Sequence, residues 1–413
     1  MKPLLLLLLL GLTTGFAQKK NVSVIDAGVI QVDSLLWDLK ALSKAPRVEW
    51  INQNGTVHSL LYQGTDYEGK PTQVFAYYSN PDLIRGKATG KQRFPGVVLI
   101  HGGGGKAFKE WVEKWAADGY AAIAMDLAGK GADGQRLAQA GPDQGDVDKF
   151  SKLEKAALKD MWTYQAVSSA ILAHSLLRSF PEVDAARTAV TGISWGGYLT
   201  CLVASLDNRF KAAAPVYGCG YYDESDIFKK SISRLSAGSH RRWMKFFDPS
   251  SYLPFAKPRF LFVNGNTDRF YNVVPYHKTY DLVPENQRTL CLIPNMAHGH
   301  EAGWIPHEIR YFFESVLNDG VPLVQVAPVT VQDSTLHLSY QSPVSILTAE
   351  FHYSNDTTSL NEHRVWSKQK ATVDPKNRTV TSPIPKEGFR YGFFYLKDHR
   401  DVSASSSFII KPN

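Results

Sequence analysis

Gly192-Ile193-Ser194-Trp195-Gly196 stands between two apolar runs, and that placement constrains the chain more than any other feature. Upstream, Thr188 to Ile193 is a short apolar run of buried-strand type; downstream, Leu199, Leu202 and Ala204 belong to an apolar helix. A turn this sharp from strand into helix strains the serine backbone and projects its hydroxyl outward. Glycine is required at 192 and 196 because side chains there would collide with the neighbouring strand and helix. The helix N-terminus brings a positive dipole end to the same spot. The rival reading is a structural glycine turn with an incidental serine.

The surroundings of this turn alternate between strands and helices. Gly96 to Ile100 is a continuous apolar run, and Phe108, Trp111, Val112 and Trp115 then share one helical face. Ala121 to Met125 returns as a strand, and a long helix is expected within 153–178. Further strands are expected at 188–193, 212–217, 260–263 and 289–293, before a closing amphipathic helix through Ile305, Ile309, Phe312, Phe313 and Val316. This alternation implies an α/β fold with a mostly parallel sheet covered on both faces, and chemistry at the carboxyl ends of its strands.

Other segments depart from that pattern. Val48 to Ile51 and Val57 to Leu60 flank Asn54-Gly55, a pair suited to a tight hairpin, and Thr72 to Tyr78 reads as a third strand. Residues 21–45 have no sustained period. A polar, basic stretch at 220–255 reads equally as a small cap or a solvated helical insertion. After Asp319-Gly320-Val321-Pro322 only strand patterns follow, which suggests a small immunoglobulin-like β-sandwich over 320–413. The expected division is thus 1–17, 18–319 and 320–413.

The first of these segments has the pattern of a signal peptide: Lys2, the apolar run Leu4 to Leu10, and Gly15-Phe16-Ala17. Its apolar run is short for a bilayer span, so secretion or a periplasmic address is expected, without stable membrane insertion. The net charge of +7 comes from basic residues spread along the chain rather than gathered in a patch, which speaks against nucleic acid as a partner. Three scattered cysteines make no disulfide framework, and no CxxC or paired histidine pattern suggests a metal. No cofactor is expected.

Ser194 needs a base to take its proton, and the base needs an acid to hold its tautomer. Asp268 follows the strand ending at Val263, where such an acid belongs; its alternative role is a turn aspartate capping the next helix. Two histidines compete as base in Ala297-His298-Gly299-His300. His298 has the better spacing from its strand, and His300 is the alternative, as base or as a pocket residue. The glycines of His101-Gly102-Gly103-Gly104-Gly105 suit backbone donors to an anionic tetrahedral intermediate. One donor is expected from Gly103 or Gly104 and the other from Trp195. A phosphate cradle would end in Gly-Lys-Ser/Thr, which is absent.

With these motifs in the order serine, acid, histidine, residues 95–318 resemble the α/β-hydrolase superfamily. The nearest resemblance is to its dienelactone hydrolase, acetyl xylan esterase and prolyl-oligopeptidase-like branch. Gly192 to Gly197 is similar to the elbow of that branch, with Asp268 and His298 at its acid and base positions. His298-Gly299-His300 departs from the simpler Gly-His ending of the branch. Too few residues precede the core for the β-propeller of prolyl oligopeptidases.

The resemblance implies a serine hydrolase working through an acyl-enzyme. A carbohydrate acetyl esterase acting on a small-molecule or saccharide ester is favoured by the expected secretion and the appended β module. The alternative is an exo- or oligopeptidase, and a third reading is a binding protein on an inactive hydrolase fold.

Overall fold

The computed structural model describes residues 36–87 and 93–411, with the backbone of a short antiparallel pair, Ser23–Val24 and Ile30–Gln31. The apolar leader at 1–17 lies outside the described residues. Nine strands make the main sheet. They are β1 Val48–Asn52, β2 His58–Gln63, β3 Gln73–Ser79, β4 Phe94–Ile100, β5 Ala121–Met125, β6 Val183–Ile193, β7 Ala212–Val216, β8 Arg259–Gly265 and β9 Arg288–Ile293. Their spatial order is β9-β8-β7-β6-β4-β5-β3-β2-β1. From β9 to β5 every pairing is parallel, and the three N-terminal strands add antiparallel pairings at the other edge.

The parallel strands carry the core. Strands β4, β5 and β7 are buried at every position, as expected for a sheet covered on both faces. The main helices are α1 Lys109–Ala117, α2 Trp162–Ser179, α3 Trp195–Leu206, α4 Ala237–Phe247, α5 Val273–Asp281 and α6 Glu308–Leu317. In α1 the buried face is Trp111, Val112, Trp115 and Ala116. Helix α2 begins later than the expected stretch, because Met161 is extended and a 3-10 turn occupies Leu158–Asp160. The insertion at 220–255 is largely helical and packed inward through Tyr222, Ile232, Trp243 and Phe247.

Beyond α6 the chain is all β. Strands β10 Thr335–Gln341, β11 Ile346–Ser354, β12 Ser367–Lys370, β13 Thr379–Pro383, β14 Tyr391–Asp398 and β15 Ser403–Ser405 belong to two antiparallel sheets. Leu336, Leu338, Phe351, Val380, Phe394 and Leu396 fill the core of this sandwich. The sandwich is also joined to the main sheet. Ser405 Oγ accepts the Leu292 N–H at 2.9 Å, and Ser403 Oγ donates to Glu308 Oε1 at 2.6 Å. Phe393, Val402 and Phe408 belong to the core cluster of the larger unit. The edge of β9 is thereby covered, which removes an open strand edge.

Candidate active site

Strands β4, β6, β8 and β9 end on the same side of the sheet, so the loops after them converge. Ser194 follows β6 directly at φ 59° and ψ −117°, a backbone region that non-glycine residues seldom occupy. The strain is held by close backbone packing. A Cβ on Gly192 would lie 2.3 Å from Gly196 O, and one on Gly196 would lie 2.0 Å from Ile100 O. The Ser194 N–H donates to Val216 O at 2.9 Å, tying the turn to β7.

Asp268 lies on the loop after β8 and is almost wholly buried. Its Oδ1 accepts the N–H groups of Phe270 at 2.8 Å and Tyr271 at 2.7 Å. Its Oδ2 accepts Nδ1–H of His298 at 2.6 Å. An ionised carboxylate only accepts, so in the neutral ring the proton sits on Nδ1 and Nε2 is the acceptor. That nitrogen faces Ser194 Oγ at 3.0 Å and accepts its hydroxyl proton. The Tyr217 ring packs 4.4 Å from the His298 ring, centroid to centroid, and Tyr217 Oη donates to Ala297 O at 2.6 Å.

The acid and base loops are fastened to one another. Asn266 Oδ1 accepts the Asn295 N–H at 2.8 Å, and a Cβ on Gly265 would lie 2.7 Å from Met296 O. Asn361 of the C-terminal sandwich completes the arrangement. Its Nδ2 donates to the main-chain oxygens of Asn266 at 3.2 Å and Asp268 at 2.9 Å, both buried. Asn361 has no sequence pattern that would mark it, since it comes from another sheet system.

His300 takes a different place from His298. Its Nε2 accepts the Gly102 N–H at 3.0 Å, and burial lowers its pKa to about 4. His101 also braces the glycine loop, donating Nδ1–H to Gly102 O at 2.8 Å and accepting the Leu127 N–H at 2.9 Å. The Gly104 N–H is donated to Gln144 Oε1 at 3.1 Å. The N–H groups of Gly103 and Trp195 have no protein acceptor among the described residues, and Trp195 opens α3. Both residues line the same cavity as Ser194.

Ser194, His298, His300, Gly103, Gly104, Trp195, Phe228, Phe270 and Lys149 line a cavity of about 390 Å³. Phe228 brings the 220–255 insertion into its wall, packing 5.1 Å from the Trp195 ring. The cavity separates this site from a second grouping with the same bonding pattern. His174 bonds Asp207 Oδ2 at 2.8 Å and Thr188 Oγ1 at 2.9 Å, but all three are fully buried, so no substrate reaches them. The cysteines Cys201, Cys219 and Cys291 are buried and free. Among the described residues there is no group of three or more His, Cys, Asp or Glu able to hold a metal, and no helix long and apolar enough to cross a membrane.

Comparison with known proteins gives the following likenesses. The family model for acetyl xylan esterase (AXE1) matches residues 43–249. An acetyl xylan esterase from Paenibacillus sp. R4 superposes with a TM-score of 0.53 at 22% identity, over 68% of this chain and 92% of that one. Acetyl xylan esterase 1 from Thermoanaerobacterium sp. JW/SL YS485 gives 0.52 at 18% identity, over 67% and 91%. An acylaminoacyl peptidase from Pyrococcus horikoshii gives 0.48 at 18% identity, over 64% of this chain and 42% of the peptidase. No curated protein sequence matches the chain.

Proposed function

The chain belongs to the acetyl xylan esterase family, and from that premise we propose that it releases acetate from acetylated saccharides with Ser194 as nucleophile, His298 as base and Asp268 as the acid that orients it. The observation that carries this reading is the unbroken hydrogen-bond chain from Asp268 through His298 to Ser194 at the wall of a cavity. Family membership implies a hydrolase acting on esters.

In this reading Ser194 Oγ attacks the acetyl carbonyl carbon while His298 Nε2 takes the hydroxyl proton. Asp268 stays ionised and stabilises the imidazolium that forms. The carbonyl oxygen becomes an oxyanion and meets the N–H groups of Gly103 and Trp195, with the N-terminal end of α3 behind it. Collapse of the tetrahedral intermediate breaks the bond to the sugar oxygen, which leaves with the proton from His298. Water then attacks the acetyl-serine with His298 again as base, releasing acetate and restoring Ser194. His300 acts in the pocket by holding Gly102, and its neutral ring suits an acceptor.

The apolar leader from Leu4 to Leu10 supports export of the chain, where polymeric substrate would be met. The test compares acetate release from acetylated xylo-oligosaccharides with cleavage of aminoacyl- and Xaa-Pro-nitroanilides, using Ser194→Ala as control. Acetate release lost in that variant is the expected result. Efficient anilide cleavage without acetate release would sink the esterase reading in favour of a peptidase.

A further inference from the structure

The cavity beside Ser194 contains a charge that the proposed acetyl transfer does not use. Lys149 ends the short helix Asp146–Lys149 and is only 5% exposed, yet it lines the same cavity. Its Nζ sits 4.4 Å from the centroid of the Trp195 ring and 5.2 Å from that of Trp162. Among the described residues it has no carboxylate or other hydrogen-bond acceptor. Its backbone is also held, because Trp243 Nε1 donates to Lys149 O at 2.8 Å.

A buried ammonium is costly unless it is paired, and two aromatic faces replace only part of its hydration. The cost is visible in its acidity: burial lowers the pKa to about 8, although Asp146 and Asp143 pull the other way. The remaining cavity wall supplies no negative charge. Its other lining side chains are apolar, aromatic, a hydroxyl or imidazole, and His300 is held neutral at neutral pH. A site that keeps an unpaired cation beside its nucleophile is complementary to an anion brought by the substrate.

We propose that Lys149 is a specificity residue that receives a carboxylate of the substrate, so that the preferred ester carries an acidic group near the scissile bond. This rests on the reading of Ser194 as an ester-cleaving nucleophile. The carboxylate has two possible sources. It belongs either to the alcohol side, as an acetylated saccharide bearing a uronic acid, or to the acyl side, as the half ester of a dicarboxylic acid. The ammonium forms no covalent bond in either case; it supplies a charge-assisted hydrogen bond that a neutral substrate cannot use.

Two pairs of substrates test the assignment in the full chain. One pair is acetylated xylo-oligosaccharide with and without a uronic acid branch. The other is 4-nitrophenyl hemiglutarate against 4-nitrophenyl butyrate. The readout is the ratio of kcat/KM, acidic over neutral, which cancels general damage to the fold. In one pair the wild type should favour the acidic ester by about tenfold to a hundredfold, the range of a charge-assisted hydrogen bond. Lys149→Met should abolish that preference, and Lys149→Arg should retain part of it. A wild-type ratio at or below one in both pairs overturns the assignment, as does a ratio unchanged in Lys149→Met. A wild type that hydrolyses none of the four esters would instead remove the underlying esterase reading.

Discussion

Asn361 donates its side-chain amide to the main-chain oxygen of Asp268 at 2.9 Å, so the C-terminal sandwich holds the loop that orients His298. The amide is itself set in place, because Arg364 Nη1 donates to Asn361 Oδ1 at 2.8 Å. Removing it would leave the carbonyls of Asn266 and Asp268 buried without that donor, and the loop would relax. Asn361→Ala should therefore lower kcat on a small ester on the order of tenfold to a hundredfold, with KM little changed. Reaction of Ser194 with a fluorophosphonate should slow in parallel. An unchanged kcat in a folded variant would mean that the acid loop holds its position without Asn361.

Much of the candidate site was legible in sequence because each group sits on the turn or loop that follows an apolar strand. Ser194 follows β6, Asp268 closely follows β8, and His298 closely follows β9. Spacing favoured His298 and left His300 as the alternative, since both lie on one loop; in the structure the two differ in where each Nε2 points, to Ser194 Oγ for His298 and to the Gly102 N–H for His300. Gly103 and Gly104 were equally open, because only the side chain of Gln144 occupies the Gly104 N–H. Asn361, Gln144 and Lys149 reach the site from a 3-10 turn, a loop and a one-turn helix, segments too short to carry a periodic signal. Strand β12 is hard to read for a related reason: Ser-Lys-Gln-Lys is a polar edge strand without apolar alternation.

The strained elbow makes a separate prediction. Ser194→Ala should abolish fluorophosphonate labelling and lower kcat by several powers of ten, up to about a millionfold. His298→Ala should approach the same loss, whereas His300→Gln should keep turnover that is readily measured by pre-steady-state kinetics. Equal losses at both histidines would show that the brace on Gly102 matters as much as the base.

A sandwich that shares core residues with the hydrolase unit should not be dispensable. Ending the chain at Asn318 would expose β9 and strip Phe393, Val402 and Phe408 from the larger core. Each large buried side chain contributes roughly 1.5–3 kcal/mol, so the total is comparable with the stability of a domain. We expect the shortened chain to aggregate, or to fold with a thermal midpoint well below that of the full chain. Size-exclusion chromatography and calorimetry decide this; a monomer of unchanged midpoint would contradict it.

Acid should destabilise the protein through its buried neutral histidines. His101 is almost fully buried and keeps its ring between the Gly102 carbonyl and the Leu127 N–H; burial pushes its pKa from 6.5 to about 4. Between those two values the unfolded chain binds a proton that the folded chain refuses, so falling pH favours unfolding. The stabilising effect of keeping His101 neutral is complete above about pH 6.5 and disappears as pH approaches 4. A shift of this size corresponds to about 3 kcal/mol over that window. His101→Gln should be less stable at pH 7, having lost a fitted ring, yet should lose less stability than the wild type on going to pH 4.5. Denaturant unfolding of both proteins across that range measures the two slopes. Parallel slopes would mean that other groups, not His101, govern the acid response.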